Sequence, residues 1–486
     1  MAASLLNLDE LVSATGGFSV SALTECVFAS VATDSRLVKE KTMFVPLVGT
    51  MQNGHKYVPQ AVEKGASVIL IDEEEYKANG EYYKSLSEKK ISTVVVKNTL
   101  TALQKAAGAY VAKFPSLLKI CITGSSGKTT TKEMTVALLK KHFGAENVAY
   151  THGNFNSETG LPLSVFNNLH GTEKVGVFEM GMNRENEIGE ISEVLKAKYG
   201  IITNIGTAHI GILGSRENIA REKRKAFDYI PADGAAFVPF DDDFADFCTE
   251  KVKGKIVKFG KSVPESESKV RFIKNLGLDG TVFSYDGVEI TLPLAGEYNY
   301  QNALGVTALA RELNIPAVEV KAAFEGMAAV SGRMENKKIT LKNNKKITVI
   351  EDCYNANPDS MGKVIDFCSE LKAKKVLVLG DMKELGEDSF AAHSEIGKKA
   401  QSVNAKLVIF AGPEMKAAYD AAVNKDSSKK NSYSYFENTS EADIKAIAAM
   451  LLNILTDEDV LLLKGSHSMA LERVIPEITD NNGEGK

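Results

Sequence analysis

Residues 117–143 read LLKICITGSSGKTTTKEMTVALLKKHF, and this stretch decides the fold. The first six residues form an apolar run of strand length. The loop Thr123-Gly124-Ser125-Ser126-Gly127-Lys128-Thr129-Thr130 follows, and the rest has the composition of a helix. Strand, glycine loop and helix in that order are the context a phosphate loop requires. Glycines let the backbone turn so that N–H groups point at phosphate oxygens, and the helix N-terminus adds partial positive charge. On this reading Lys128 reaches the terminal phosphates of a nucleotide and Thr129 holds Mg²⁺. The spacing G-x-x-G-K-T is two residues shorter than the commoner G-x-x-x-x-G-K-[ST]. The bland alternative is a glycine-rich turn carrying a surface lysine.

Outward from this loop, further strands are expected at 175–178 and 200–202, a turn-rich strand region at 255–293, and helices at 299–313 and 317–329. On the N-terminal side, 44–48 and 66–71 read as strands, 57–64 as a short helix and 100–114 as a helix ended by Pro115. Beyond Ser331 the chain alternates strand and helix, with strands at 347–350, 375–379, 407–410 and 460–463. Such alternation predicts a parallel, doubly wound sheet with ligands beyond the strand carboxyl ends. The expected fold class is therefore α/β in three domains: 1–98, 99–330 and 331–486. The polar run 425–434 and the tail 479–486 read as loop or frayed end.

Composition narrows the class. The chain has 486 residues, enough for about three domains at ~150 residues each. It is 44% hydrophobic and 25% charged, with a net charge of −5, which excludes a disordered or collagen-like chain. The acidic balance argues against nucleic acid as a partner. Five cysteines, odd in number and with no CxxC, fit reduced thiols in a cytoplasm rather than a zinc site. The N-terminus lacks a signal-peptide pattern and no run approaches 18 apolar residues, so membrane insertion is not expected.

Three other features carry chemistry. Glu179 ends the strand at 175–178, where a carboxylate can reach the phosphate-loop crevice and suits a hard cation. His209 follows another strand; a lone histidine is as readily structural. The basic residues Arg221, Lys223, Arg224 and Lys225 read as a solvated helix face.

The order of motifs resembles the Mur ligase family, which builds the peptidoglycan precursor. The segments are ATDSR at 32–36, FVPLVG at 44–49, TGSSGKTT at 123–130, GNFNSETGLP at 153–162 and EMGMN at 179–183. NIGTAH at 204–209, GEYNYQNAL at 296–304, SGR at 331–333, DCYNANPDSM at 352–361, LGDMKELG at 379–386 and LLKGSHS at 462–468 follow. The shortened phosphate loop is itself the family's form. GNFNSETGLP, DCYNANPDSM and LGDMKELG are most similar to the branch that adds D-alanyl-D-alanine to UDP-N-acetylmuramoyl-tripeptide.

The resemblance implies a UDP-binding domain, a central ATPase domain and a Rossmann-like C-terminal domain, working in the cytoplasm as a monomer. It implies ATP-dependent amide formation through an acyl phosphate. Glu179 and His209 would place a second Mg²⁺, supported by Lys223 as a carbamate, with Lys225 as the alternative. Gly124, Ser125, Ser126, Gly127, Lys128, Thr129 and Thr130 would cradle the phosphates. Asn299 and Asn302 would contact adenine, Arg333 the γ-phosphate and Asp352 the ribose. Thr151, Asn154 and Asn156 would touch the muramoyl peptide, and Ser35, Arg36 and His55 would lie near uridine. Tyr354, Asn355, Asn357, Lys464 and Ser466 would serve the substrates from the last domain. Two departures stand out: Tyr298 replaces the histidine of G-x-H-N-x-x-N, and His467 stands where the family often has arginine.

Competing readings are a sibling that adds a single amino acid, a folylpolyglutamate synthetase-like enzyme, a P-loop GTPase and a nonenzymatic scaffold. A GTPase needs N-K-x-D, and Asn424-Lys425-Asp426 is one residue too short. A scaffold would be expected to have lost Lys128 or Glu179.

Overall fold

The computed structural model describes residues 4–20, 23, 26–425 and 432–480. Among them, four β-sheets with flanking helices build three α/β domains. In the first, strands Phe18–Ser19, Ser92–Val96, Ala66–Asp72, Thr42–Phe44 and Ser30–Ala32 lie side by side; only the first pair is antiparallel.

The central sheet is parallel throughout, in the order Lys255–Phe259, Ala235–Pro239, Tyr199–Ile202, Leu118–Thr123, Val175–Glu179 and Val148–Tyr150. The chain leaves Leu118–Thr123 through the helix Lys128–Phe143 to the edge strand Val148–Tyr150, then returns to Val175–Glu179. It next crosses to Tyr199–Ile202 on the other side of Leu118–Thr123. The connections therefore diverge at the carboxyl end of Leu118–Thr123, where open α/β sheets form their ligand crevice. A small antiparallel sheet, Val270–Asn275, Thr281–Tyr285 and Val288–Leu292, attaches beside it. The helices Glu297–Glu312 and Ala317–Glu325 close this region.

In the C-terminal sheet the order is Glu335–Thr340, Lys346–Asp352, Val460–Lys464, Lys375–Gly380, Leu407–Ala411 and Tyr433–Phe436. The expectation of an all-parallel sheet is corrected here: Glu335–Thr340 pairs antiparallel with Lys346–Asp352. Its burial alternates, as suits an edge strand with one wet face. The central strands are buried at every position because helices cover both faces.

Several boundaries shift. The strand expected at 44–48 is Thr42–Phe44; Pro46 has no N–H to continue a ladder. The helix expected at 317–329 stops at Glu325, before Gly326. The helix Thr99–Ala112 is shared: its Leu103 and Ala107 join one apolar cluster that runs from Val68 and Val94 to Phe166 and Ile188. Tyr433–Phe436 is a strand where the end of the polar run was read as loop, while residues 426–431 of that run lie outside the described residues. Thr479 bridges Leu341 rather than fraying, and 481–486 lie outside the described residues. No described helix is long and apolar enough to cross a membrane.

Candidate active site

A cavity of about 220 Å³ opens where the carboxyl ends of the central and C-terminal sheets face each other. The phosphate loop forms its floor. Gly127 there has φ +80° and caps the helix Lys128–Phe143. A Cβ at Gly127 would stand 2.5 Å from Asn302 Oδ1. Gly127→Ala combines that clash with a left-handed backbone costing ~1–2 kcal/mol. We expect nucleotide binding at least about tenfold weaker, measured by calorimetry; unchanged affinity would contradict the close fit of loop and helix.

The loop is braced from behind by residues that sequence reasoning left without a role. Asn204 Oδ1 accepts from Ser126 N at 3.1 Å, and Asn204 Nδ2 donates to Ser126 O at 2.9 Å. Thr203 Oγ1 donates to the same carbonyl at 2.6 Å. NIGTAH was visible as a motif, but this bracing follows only from the adjacency of two strands 80 residues apart in the chain, roughly.

Lys128 Nζ donates to Gly124 O at 2.8 Å. Burial lowers its basicity, and Glu179 opposes that shift. Glu179 is 1% exposed. Its Oε1 accepts from Asn156 Nδ2 at 2.7 Å, while its Oε2 is buried with no hydrogen-bond partner. A buried carboxylate oxygen without a donor is costly, and a cation would satisfy it. Among the described residues no three His, Cys, Asp or Glu side chains form a preformed cage. That donor set suits Mg²⁺, which keeps waters and is commonly held by one or two carboxylates plus substrate phosphates. Thr129, Glu179 and His209 all line the cavity.

Lys223 is 0% exposed and does not line the cavity. Its Nζ lies 4.0 Å from Sδ of Met182, which does. Burial, reinforced by Lys128, holds the amine well below the ordinary lysine range. Lys225, the alternative, is engaged elsewhere: its Nζ donates to Glu222 at 2.7 Å and Asn186 at 2.9 Å. The expectation of a solvated basic face fails at Lys223 because this part of the helix packs inward.

Helix Glu297–Glu312 brings Tyr298, Asn299 and Asn302 to the cavity. Asn299 Nδ2 donates to Ala295 O at 2.7 Å. The Tyr298 hydroxyl is buried without a partner, and burial together with Asp352 pushes it well above the usual phenol range. From the opposite side, Lys464 Nζ pairs with Asp352 at 2.7 Å and donates to Asn355 O at 3.1 Å. Arg333 lies 4.0 Å above the Tyr354 ring, which stacks on His467. Asn357 Nδ2 donates to Ser126 Oγ at 3.3 Å, so the last domain touches the phosphate loop.

Other expected contact residues lie outside the cavity wall. Thr151 is fully buried, and its Oγ1 accepts from Glu179 N at 3.1 Å. It braces Glu179 instead of facing a ligand. Ser466 Oγ accepts from Lys383 N at 3.0 Å, outside the cavity wall. His55 is 3% exposed; Nδ1 pairs with Asn53 Oδ1 and Nε2 accepts from Asp72 N, so its ring ties a turn to a strand. Ser35 Oγ donates to Gln60 Oε1 at 2.6 Å. Arg36 is exposed beside Asp34, and Asn154 is exposed. Gly124 sits behind the loop, where a Cβ would meet Thr203.

The fold and cavity define a three-domain phosphate-loop ligase, and the chain belongs to the Mur ligase family. Residues 27–111 match the Mur ligase family catalytic domain, 122–310 the Mur ligase middle domain and 332–467 the Mur ligase glutamate ligase domain. Its relatives include the UDP-N-acetylmuramoyl-tripeptide–D-alanyl-D-alanine ligase of Treponema pallidum, 38% identical over 97% of this chain and 98% of the relative. The enzyme of the same name from Bacillus subtilis is 31% identical over 98% of each chain. MurF from Acinetobacter baumannii superposes with a TM-score of 0.81 at 27% identity, covering 96% of this chain and 97% of that one. MurF from Thermotoga maritima in complex with ADP gives 0.75 at 25% identity, covering 92% and 96%.

Proposed function

We propose that this chain joins D-alanyl-D-alanine to UDP-N-acetylmuramoyl-tripeptide at the expense of ATP. The observation that carries this reading is the convergence of the phosphate loop, Glu179 and the polar ends of the C-terminal sheet on one cavity. A nucleotide phosphate and a second reactant can meet there. The names carried by full-length relatives supply the substrates.

The tripeptide's terminal carboxylate attacks the γ-phosphorus, giving an acyl phosphate and ADP. The dipeptide amine then attacks the acyl carbon, and collapse of the tetrahedral adduct releases phosphate. Anion meets anion in the first step, so neutralising charge matters most. Lys128 and Arg333 supply fixed positive charge at the cavity. Asn156 orients Glu179, and Asn204 and Thr203 hold the loop in shape. Thr129, Glu179 and His209 are the residues that would hold Mg²⁺, which when bound supplies further charge neutralisation.

Lys223, by the family resemblance, carries a carbamate. A carbamate forms when a neutral amine adds CO₂ and loses a proton, and burial keeps this amine neutral more of the time. Tyr354, Asn355 and Lys464 lie where the amine substrate would enter. The domains are 1–98 for the uridine end, 99–330 for ATP and 331–486 for the dipeptide. We further propose that the enzyme works in the cytoplasm, as a monomer without nucleic-acid partners.

The test is phosphate release from ATP with Mg²⁺ and UDP-N-acetylmuramoyl-tripeptide, comparing D-alanyl-D-alanine with single amino acids. We expect release that requires the dipeptide, with a product mass equal to the condensed pentapeptide. Release with a single amino acid alone would move the chain to a sibling activity.

A further inference from the structure

The C-terminal domain reaches His209 through one side chain. Glu384 Oε2 lies 2.7 Å from His209 Nδ1. Glu384 O also accepts from Gly211 N at 3.1 Å, so the same residue holds the segment after His209 by its backbone. Glu384 and His209 both adopt left-handed backbone conformations, with φ +65° and +67°. Such conformations are uncommon outside glycine and persist where surrounding structure enforces them.

The surroundings of Glu384 do enforce it. Lys383 Nζ is clamped between Asp381 Oδ2 at 2.8 Å and Glu414 Oε1 at 2.9 Å. Met382 N donates to the fully buried His393, and Lys383 N to Ser466 Oγ. On the other side of the interface, Thr207 N and Oγ1 both donate to Asp359 Oδ2, at 2.6 and 2.8 Å. The segment 207–211 is therefore gripped at both ends by the C-terminal domain. There is no slack: a Cβ at Gly211 would stand 2.5 Å from Gly386 N.

We propose that Glu384 is a positioning residue, delivered by the C-terminal domain, that fixes the tautomer and orientation of His209 in the active cavity. A carboxylate at Nδ1 makes that nitrogen the donor and leaves the Nε2 lone pair for the cavity. Histidines at metal sites are commonly oriented by such a carboxylate, and its loss costs about 10–100-fold in affinity or activity. Here the orienting group sits on a different domain from the histidine, so the cavity is complete only when the two domains meet. The Nδ1 approach is close but off the line of a hydrogen bond. This inference rests on the proposed ligase reading and deepens it.

The test uses the full chain with Glu384→Ala and Glu384→Gln. We expect Glu384→Ala to lower kcat at least about tenfold and to raise the Mg²⁺ concentration for half-maximal nucleotide binding by a similar factor. Its KM for D-alanyl-D-alanine should stay within about threefold. Glu384→Gln keeps an acceptor for Nδ1–H and should recover most of both properties. A Glu384→Ala variant with wild-type kcat and Mg²⁺ dependence overturns the proposal. Equal loss in both variants also overturns it. If Glu384→Ala fails to fold, nitrogen NMR of histidine-labelled wild-type protein decides, with His209 assigned by its missing signal in His209→Gln. An Nδ1–H tautomer supports the proposal and an Nε2–H tautomer overturns it. Failure of the wild-type protein to make the pentapeptide would instead reject the ligase reading.

Discussion

Lys128→Ala abolishes ATP-dependent ligation while the chain still folds. The ammonium is aimed into the cavity from the first turn of the helix Lys128–Phe143, and its hydrogen bond to the chain is to Gly124 O. Removing it takes a fixed cation away from the cavity where charge develops on the transferred phosphoryl group. Loss of one preorganised charge-stabilising group costs about 10²–10³-fold in kcat, and a lysine on the terminal phosphates should reach or exceed that. Stability should move little, because the side chain is only partly buried and its hydrogen bond to the chain is a single one to Gly124 O. Phosphate release and a thermal melt on the same preparation check both halves. Near-normal turnover would remove the phosphate-loop assignment.

The second large effect is expected at Lys223. Its side chain is fully buried, and among the described residues its amine makes no ion pair and has Met182 Sδ as its hydrogen-bond partner. An ammonium there would lack the oxygen partners that buried charges require. A carbamate changes the group from a cation to a carboxylate-like anion pointed at the cavity wall. Lys223→Ala should lose at least about 100-fold in activity, and millimolar formate, acetate or propionate should restore part of it by filling the vacated space with a carboxylate. Full activity in the variant would end the carbamate role. Loss without rescue by any small acid would point to packing around Met182 instead.

Much of the site could be read before any coordinates because its chemistry is local. The loop 123–130 carries its own strand before and helix after, and Glu179 ends its own strand. Several residues expected to touch ligands hydrogen-bond within the fold. Thr151, which the family resemblance puts at the muramoyl peptide, uses its hydroxyl to accept from the Glu179 backbone 28 residues away. His55, whose turn the resemblance puts near uridine, uses both ring nitrogens within the fold. Lys223 and Lys225 were two residues apart and chemically identical in sequence. Their packing separates them, one buried beside Met182 and the other paired with Glu222.

The sequence by itself determined the three α/β units, the phosphate loop with its lysine, and the carboxylate at the neighbouring strand end. These depend on periodicity and on glycines placed within a few residues of the groups they free. Only the tertiary structure decided which polar groups share a cavity. Asp352 meets Lys464, Asn204 braces Ser126, and Glu384 reaches His209 across a domain interface. Those pairings depend on strand order and domain contact, which bring together side chains separated by 78 to 175 residues, roughly, and no local pattern encodes them.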